Sequence, residues 1–161
     1  MHGYLHYSVM ISFLTGDIFQ SNAQGIVNPV NTVGVMGKGL ALAFKKKFPS
    51  NYLEYKQAYE RDELKTGKML VHFTRQLITQ IIINFPTKNH WRDPSKLVYI
   101  ETGLDDLITV INDHKIKSIA IPALGCGLGG LQWEQVKSMI EDKLRHLSIN
   151  TEILIYGPGY S

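Results

Sequence analysis

With 161 residues, 44% of them hydrophobic and 19% charged, the chain is long enough to bury one core and too short for two. No apolar run reaches the roughly 20 residues that a membrane-crossing helix requires, which argues against a helical membrane protein. A net charge of +3 is too mild to name a partner by itself.

The first residues, MHGYLHYSV, lack the positive start, apolar stretch and small-residue cleavage site of a secretory signal. Met10 offers an internal start, so residues 1–9 are expected to form a flexible leader ahead of one domain over 10–161. Val9 to Leu14 predicts a first strand, and Gly25 to Asn28 a short buried one. Lys38 to Lys47 and Pro49 to about Arg61 predict two helices, divided at Phe48 because a proline disfavours helical backbone in the residue before it. The cluster Lys45, Lys46 and Lys47 either meets phosphates or is a solvated helix end.

Further along, Lys68 to Thr74 and Leu77 to Phe85 are rich in β-branched and aromatic residues and should pair as a hairpin across Arg75 and Gln76. Leu97, Ile100, Leu104, Leu107, Ile108 and Ile111 fall at helical spacing, with Asp93 and Pro94 read as its capping residue and first-turn proline. Ser118 to Ala123 predicts another strand, and Trp133, Val136, Met139, Ile140, Leu144 and Leu147 mark the apolar stripe of a helix leading to a last strand at Ile153 to Tyr156. Strands alternating with helices predict a three-layer α/β fold with helices on both faces of one sheet.

The chain has one cysteine, Cys126, so it forms no internal disulfide; this fits a reducing cytoplasm, the expected compartment. His72, His90, His114, His146 and Cys126 show no metal-ligand spacing, and nothing completes a site around His2 and His6. No metal or cofactor is expected.

Chemistry concentrates in glycine. Ile119 to Gly130 reads as a buried strand running into a loop that holds Gly125, Gly127, Gly129 and Gly130, followed at once by a helix. Backbone amides in such a loop can turn inward as an anion nest, and the helix adds its positive end, so a phosphate or diphosphate is the natural guest. Gly125, Gly127 and Gly130 also satisfy the dinucleotide spacing GxGxxG. That reading needs an acidic residue about 20 positions on, at the end of the next strand. Glu152 instead falls at the start of what reads as the final strand, which demotes nicotinamide dinucleotide binding. A second cluster, Gly34-Val-Met-Gly37-Lys38-Gly39, matches a nucleotide phosphate loop poorly, because only two residues separate Gly34 from Gly37 and Leu40 stands where a magnesium-binding hydroxyl belongs. It still suits the second wall of a diphosphate site.

Taken together, Thr15-Gly16-Asp17-Ile18, Ile26-Val27-Asn28-Pro29-Val30-Asn31, the Gly34 to Gly39 loop and Pro122 to Gly130 resemble the macrodomain family over nearly all of Met10 to Gly159. That resemblance implies a mixed six-stranded sheet binding ADP-ribose. Met36-Gly37-Lys38-Gly39-Leu40-Ala41, Asn84-Phe85-Pro86-Thr87-Lys88-Asn89-His90-Trp91-Arg92 and Gly125-Cys126-Gly127-Leu128-Gly129-Gly130-Leu131-Gln132-Trp133 resemble the branch of the terminal ADP-ribose protein glycohydrolase. Nearer still are the DarG antitoxins, which remove the ADP-ribose that a partner toxin, DarT, attaches to thymidine in single-stranded DNA.

The resemblance assigns Asp17 to the adenine amine, Asn28 and Asn31 to the distal ribose, Gly125 to Gly130 to the diphosphate, and Gly37, Lys38 and Gly39 to a cover on the same side. Ile18, Pro122, Cys126, Leu128 and Tyr156 complete the expected ligand contacts. Each polar member has an ordinary alternative: Asp17, Asn28 and Asn31 can all cap turns.

Lys88 follows an apolar strand and the rigid Pro86, so it should project from a strand end towards the cleft. The resemblance makes Lys88 catalytic, a desolvated amine there attacking the anomeric carbon or, if charged, stabilising the opening sugar; the residue by itself reads as a surface lysine. In the protein-directed relative an aspartate of the glycine loop helps resolve a lysyl intermediate, and here that place is Gly129; DarG proteins resemble this chain in that glycine. His90 is expected to contact substrate or position Lys88. Trp91 and Arg92 either stack on a base and meet a phosphate, or pack on the sheet and cap a helix.

The expected activity is hydrolysis of ADP-ribose from thymidine bases, an antitoxin and DNA-repair role. The partners would be ADP-ribose, ADP-ribosylated single-stranded DNA and, in a longer chain, a DarT-like toxin; a monomer is expected. The alternatives are a non-catalytic ADP-ribose reader and a hydrolase of ADP-ribosyl-glutamate or O-acetyl-ADP-ribose.

Overall fold

The computed structural model describes residues 9–147 and 150–158, so the expected leader, with His2 and His6, lies outside the described residues except for Val9. Six strands form one sheet: β1 (Met10–Leu14), β2 (Gly25–Asn31), β3 (Leu70–Phe73), β4 (Ile81–Lys88), β5 (Ser118–Ile121) and β6 (Glu152–Tyr156). Their order across the sheet is β1-β6-β5-β2-β4-β3, and every pair is parallel except β3 with β4. The helices are α1 (Gly39–Lys47), α2 (Pro49–Glu60), α3 (Leu97–Asp113) and α4 (Trp133–Leu144). The expected three-layer arrangement with a mixed sheet is the one observed. No helix among the described residues is long and apolar enough to cross a membrane.

Covered parallel strands bury both faces, which is why Ile81 to Phe85 reads as a continuous apolar run rather than an alternating one. Ile81, Ile83 and Phe85 join Ile100 and Leu104 of α3 and Ile140 of α4 in one core, while Ile82 joins Phe44 of α1 and Phe48 in another. The predicted stripes of α3 and α4 face that first core. Ile100, Leu104, Leu107, Val136 and Ile140 are fully buried, each contributing roughly 1.5–3 kcal/mol relative to exposure. Gly103 interrupts the α3 stripe for a reason. A Cβ there would sit 2.3 Å from the Phe85 ring, so the helix backbone rests on that ring directly.

The predicted hairpin exists, but its turn spans 74–80 rather than Arg75 and Gln76. The expected strand start at Leu77 is corrected to Ile81, because Leu77 and Ile78 are 92% and 57% exposed. Gln24 O accepts from both Gln80 N and Ile81 N, which anchors the strand start there. Asp93 and Pro94 do not cap α3. The helix begins at Leu97 with Lys96 at its N-cap and no side-chain cap, while the segment before it turns through Asp93 N donating to His90 O.

β2 runs three residues beyond the predicted Asn28, through Pro29. Pro29 is tolerated because β5 pairs with β2 only at Gly25 and Ile26. Pro86 in β4 likewise lies past Asn84, the last residue that β3 pairs. The sheet therefore opens between β2 and β5 at their C-terminal ends. Chain connections leave β2 and β5 in opposite directions, and such a switch point is where open α/β sheets bind ligands.

Candidate functional site

The parallel strands deliver their C-terminal ends to one edge, and all the residues expected to bind or react lie on the segments just there. Asp17 follows β1, Asn28 and Asn31 are in β2, Lys88 ends β4, the glycine loop follows β5, and Tyr156 ends β6. A shallow groove of about 380 Å³ between α3 and α4, lined by Glu101, Gln135 and Met139 among others, shares no residue with this set.

Two glycine loops flank the opening. In the one after β5, Cys126 N donates to Ala123 O, Gly130 N to Gly127 O and Leu131 N to Gly125 O, tying the loop to itself. The amides of Gly127, Leu128 and Gly129 have no hydrogen-bond partner among the described residues, leaving three successive donors of the kind that hold an anion. Gly125 adopts φ +72°, where its Cβ would also press on Leu131 at 2.8 Å. Gly129 has no room at all, since a Cβ would lie 2.3 Å from Ser95 Oγ and 2.5 Å from Gly125 O. The aspartate of the protein-directed relative does not fit this loop as folded. Ser95, which donates its amide to Gly129 O, buries its hydroxyl beneath the loop without a partner among the described residues.

The loop after β2 is held from outside. Asn31 Oδ1 accepts from Val33 N and Val35 N, and its Nδ2 donates to Val35 O at 2.8 Å. The Tyr55 hydroxyl shares its proton between Asn31 O at 2.8 Å and Oδ1 at 2.9 Å, and Lys56 Nζ donates to Gly34 O. Burial raises the Tyr55 phenol far above its ordinary range. Asn31 thus spends its amide oxygen and one Nδ2 hydrogen on shaping the loop. Gly37, Lys38 and Gly39 are exposed at the tip, where Gly39 takes φ +57° with open space around it. Neither α1 nor α4, the helices that follow these loops, has a side-chain cap, so two positive helix ends border the opening.

At the left of the sheet, Asp17 Oδ1 accepts from Phe19 N at 2.9 Å and caps a short 3-10 turn over Ile18–Gln20. Its outward position leaves the carboxylate accessible, while Ile18 beside it is buried. Burial and, secondarily, the Asp17 charge raise the Tyr156 phenol above its ordinary range. Pro122 is buried at the foot of the glycine loop, and Leu128 is 70% exposed at its tip. Burial pushes the Cys126 thiol up to about 11, so it is not a thiolate at neutral pH.

A register shift between Val30 and Asn31 leaves Thr87 as an extra residue in β4, which brings Lys88 opposite Asn31. Lys88 Nζ donates to Trp91 O at 3.3 Å. Burial lowers its pKa, and Asp93 opposes that shift through its charge. His90 Nδ1 accepts from Arg92 N at 3.1 Å, and the His90 and Trp91 rings lie 4.9 Å apart. The Arg92 guanidinium sits 4.7 Å from the Trp91 ring, making an exposed stack beside Lys88. The cluster Lys45–Lys47 is partly engaged, with Lys45 over Tyr52 and Lys47 over Phe19.

Beneath the opening lie three fully buried asparagines, Asn28, Asn51 and Asn84. Only Asn28 stands out in the sequence as a site residue. Asn84 was legible as a lone amide inside an apolar strand, whereas Asn51, Tyr55 and Ser95 sit in stretches with no motif. Among the described residues no group of three His, Cys, Asp or Glu could hold a metal ion.

The macro domain family model matches residues 27–140. The solved macrodomain of Mycobacterium tuberculosis DarG is 47% identical, with 93% of this chain and 99% of that one covered and a TM-score of 0.90. A Thermosipho africanus DarTG structure in complex with ADP-ribose is 38% identical, with a TM-score of 0.86 over 92% of this chain and 42% of that one. A Thermus aquaticus protein named DNA ADP-ribosyl glycohydrolase is 45% identical over 150 residues, 92% of this chain. The chain spans 41% of that relative's length.

Proposed function

From the premise that this chain belongs to the macrodomain family and stands with its DarG members, we propose that it binds ADP-ribose across the β2–β5 opening and hydrolyses it from thymidine bases of single-stranded DNA. The observation that carries this reading is the juxtaposition of Lys88, its pKa lowered by burial, with two glycine loops that each lead into an uncapped helix. The free amides of Gly127 to Gly129 hold the diphosphate, and Gly37 to Gly39 close over it. The adenine lies by Asp17, Ile18 and Tyr156, and the distal ribose reaches Asn28 and Asn31 beside Lys88. Pro122, Cys126 and Leu128 line the wall between.

Hydrolysis breaks the bond between the anomeric carbon and the base nitrogen. Water supplies the oxygen to carbon and a proton to the departing base. Because Gly129 leaves no space for a resolving carboxylate, ordered water with Lys88 as the charge-stabilising group fits this chain better than a covalent lysyl route. The pH–rate profile separates the two. An ammonium role loses rate as pH rises through the lowered pKa, whereas an amine nucleophile gains rate over the same window. His90 positions this segment through its bond to Arg92 N, and the Trp91–Arg92 stack receives the neighbouring base and phosphate. The domain acts as the antitoxin part of a longer protein, with a DarT-like toxin as its counterpart, in the cytoplasm.

The test is incubation with an ADP-ribosylated thymidine oligonucleotide, with Lys88→Ala alongside. Lys88→Ala should lose about 100-fold or more in release while still binding ADP-ribose by calorimetry. One feature favours a second reading, that of a non-catalytic reader: Lys88 Nζ is already engaged by Trp91 O. Wild-type protein that binds ADP-ribose yet releases none from DNA, modified glutamate or O-acetyl-ADP-ribose would establish the reader.

A further inference from the structure

The three buried asparagines form a network whose polarity can be assigned from one end. At the β3 end, the Leu70 carbonyl oxygen can only accept, and Asn84 approaches it at 3.1 Å, so the Asn84 group there must be its NH2. That fixes Asn84 Oδ1 on the other side, towards α2 and β2. Asn51 from α2 locks this orientation with two reciprocal bonds, Asn84 Nδ2 to Asn51 Oδ1 at 2.8 Å and Asn51 Nδ2 to Asn84 Oδ1 at 3.1 Å. The remaining acceptor capacity of Asn84 Oδ1 takes Asn28 Nδ2 at 3.0 Å. Met36 Sδ lies 4.0 Å from the same Asn28 nitrogen, so both hydrogens of that amide face protein. Reversing the Asn28 amide would set two carbonyl oxygens against each other with no proton between them.

What is left is Asn28 Oδ1, a buried acceptor with no partner among the described residues. It stands two residues past Ile26, the last β2 residue that pairs with β5, where the sheet opens. It is also three residues before Asn31, which faces Lys88 across the strands.

We propose that Asn84 and Asn51 are positioning residues that fix the polarity of Asn28, so that its amide offers the ligand a carbonyl oxygen alone and the ligand must bring a hydroxyl donor to it. The inference rests on the ADP-ribose reading, in which that donor is a hydroxyl of the distal ribose. It makes this corner of the site selective: a sugar hydroxyl is accepted, and a group that can only accept is refused. The selectivity originates at Leu70 O and reaches Asn28 through side chains that never touch the ligand.

The experiment measures calorimetric binding of ADP-ribose and of two analogues in which either the 2″ or the 3″ hydroxyl of the distal ribose is replaced by fluorine, which cannot donate. On wild-type protein one analogue should bind about tenfold or more weakly than ADP-ribose. In the double variant Asn51→Leu/Asn84→Leu the Asn28 amide is free to reverse, so the ratio between ADP-ribose and that analogue should fall towards one. A merely structural role would weaken both ligands together and keep the ratio. If the double variant does not fold, Asn84→Ser carries the same comparison. Equal binding of all three ligands to wild-type protein, or an unchanged ratio in a folded variant, overturns the proposal. Absence of ADP-ribose binding to wild-type protein instead sinks the functional reading on which it rests.

Discussion

The loop after β2 and the loop after β5 have similar glycine content, lead into similar uncapped helices and face the same opening, yet they are held in opposite ways. Gly34 is confined by Tyr59, whose ring would sit 2.7 Å from an added Cβ, and the rest of that loop is tied down by Tyr55, Lys56 and Asn31. The β5 loop is confined by its own backbone and by Ser95. One loop takes its shape from helix side chains; the other takes it from having no side chains of its own at the tight points. The first can be loosened by a substitution on α2 that never touches a ligand, the second only by altering its own glycines or Ser95.

This contrast predicts a ranked series. The largest effect belongs to Gly129→Ala, where the new Cβ meets Gly125 O, a backbone atom that cannot swing away; a loss of about 3 kcal/mol in urea unfolding is expected, together with ADP-ribose affinity. If Gly129→Ala keeps wild-type stability, the self-supported loop is wrong. Next comes Tyr55→Phe, which removes the one proton shared by Asn31 O and Oδ1 while the Val33 and Val35 amides still serve Oδ1; it should cost about 1 kcal/mol, with faster amide exchange confined to residues 31–37. The same variant should leave exchange in the β5 loop unchanged. Gly39→Ala has space but keeps φ +57°, so roughly 1 kcal/mol is expected from backbone strain alone. Smallest is Lys88→Met. The folded pKa of Lys88 lies below its unfolded value, so its charge opposes folding at neutral pH, and that penalty fades only as pH rises through the folded pKa. Replacing it should raise the thermal midpoint slightly near pH 7, with the gain shrinking at alkaline pH.

Much of this was readable from the sequence where one residue has one job. The α3 and α4 stripes, the Phe48–Pro49 break and the glycine loops follow from spacing and backbone chemistry, and the structure has them. The reading failed where a local pattern competes with distant partners. Leu77 and Ile78 carry strand-forming side chains, but Gln24 O fixes the start of β4 at Ile81 from another part of the chain. Asp93 precedes a proline in helix-start fashion, yet Ser95 N is claimed by Gly129 O and the helix waits until Leu97. At the site, glycines and Lys88 were visible because their chemistry is local. Asn51 and Tyr55 were not, since an amide or a phenol on a helix says nothing about which strand it will meet 24 or 33 positions away.

The contact between Gly103 and the Phe85 ring bears on how the molecule can move. With no Cβ between helix backbone and aromatic face, α3 cannot rise or slide without lifting Phe85, and Phe85 is three residues from Lys88 in the same strand. The strand that carries the amine is therefore seated on the α3 backbone itself, with no side chain of the helix between them.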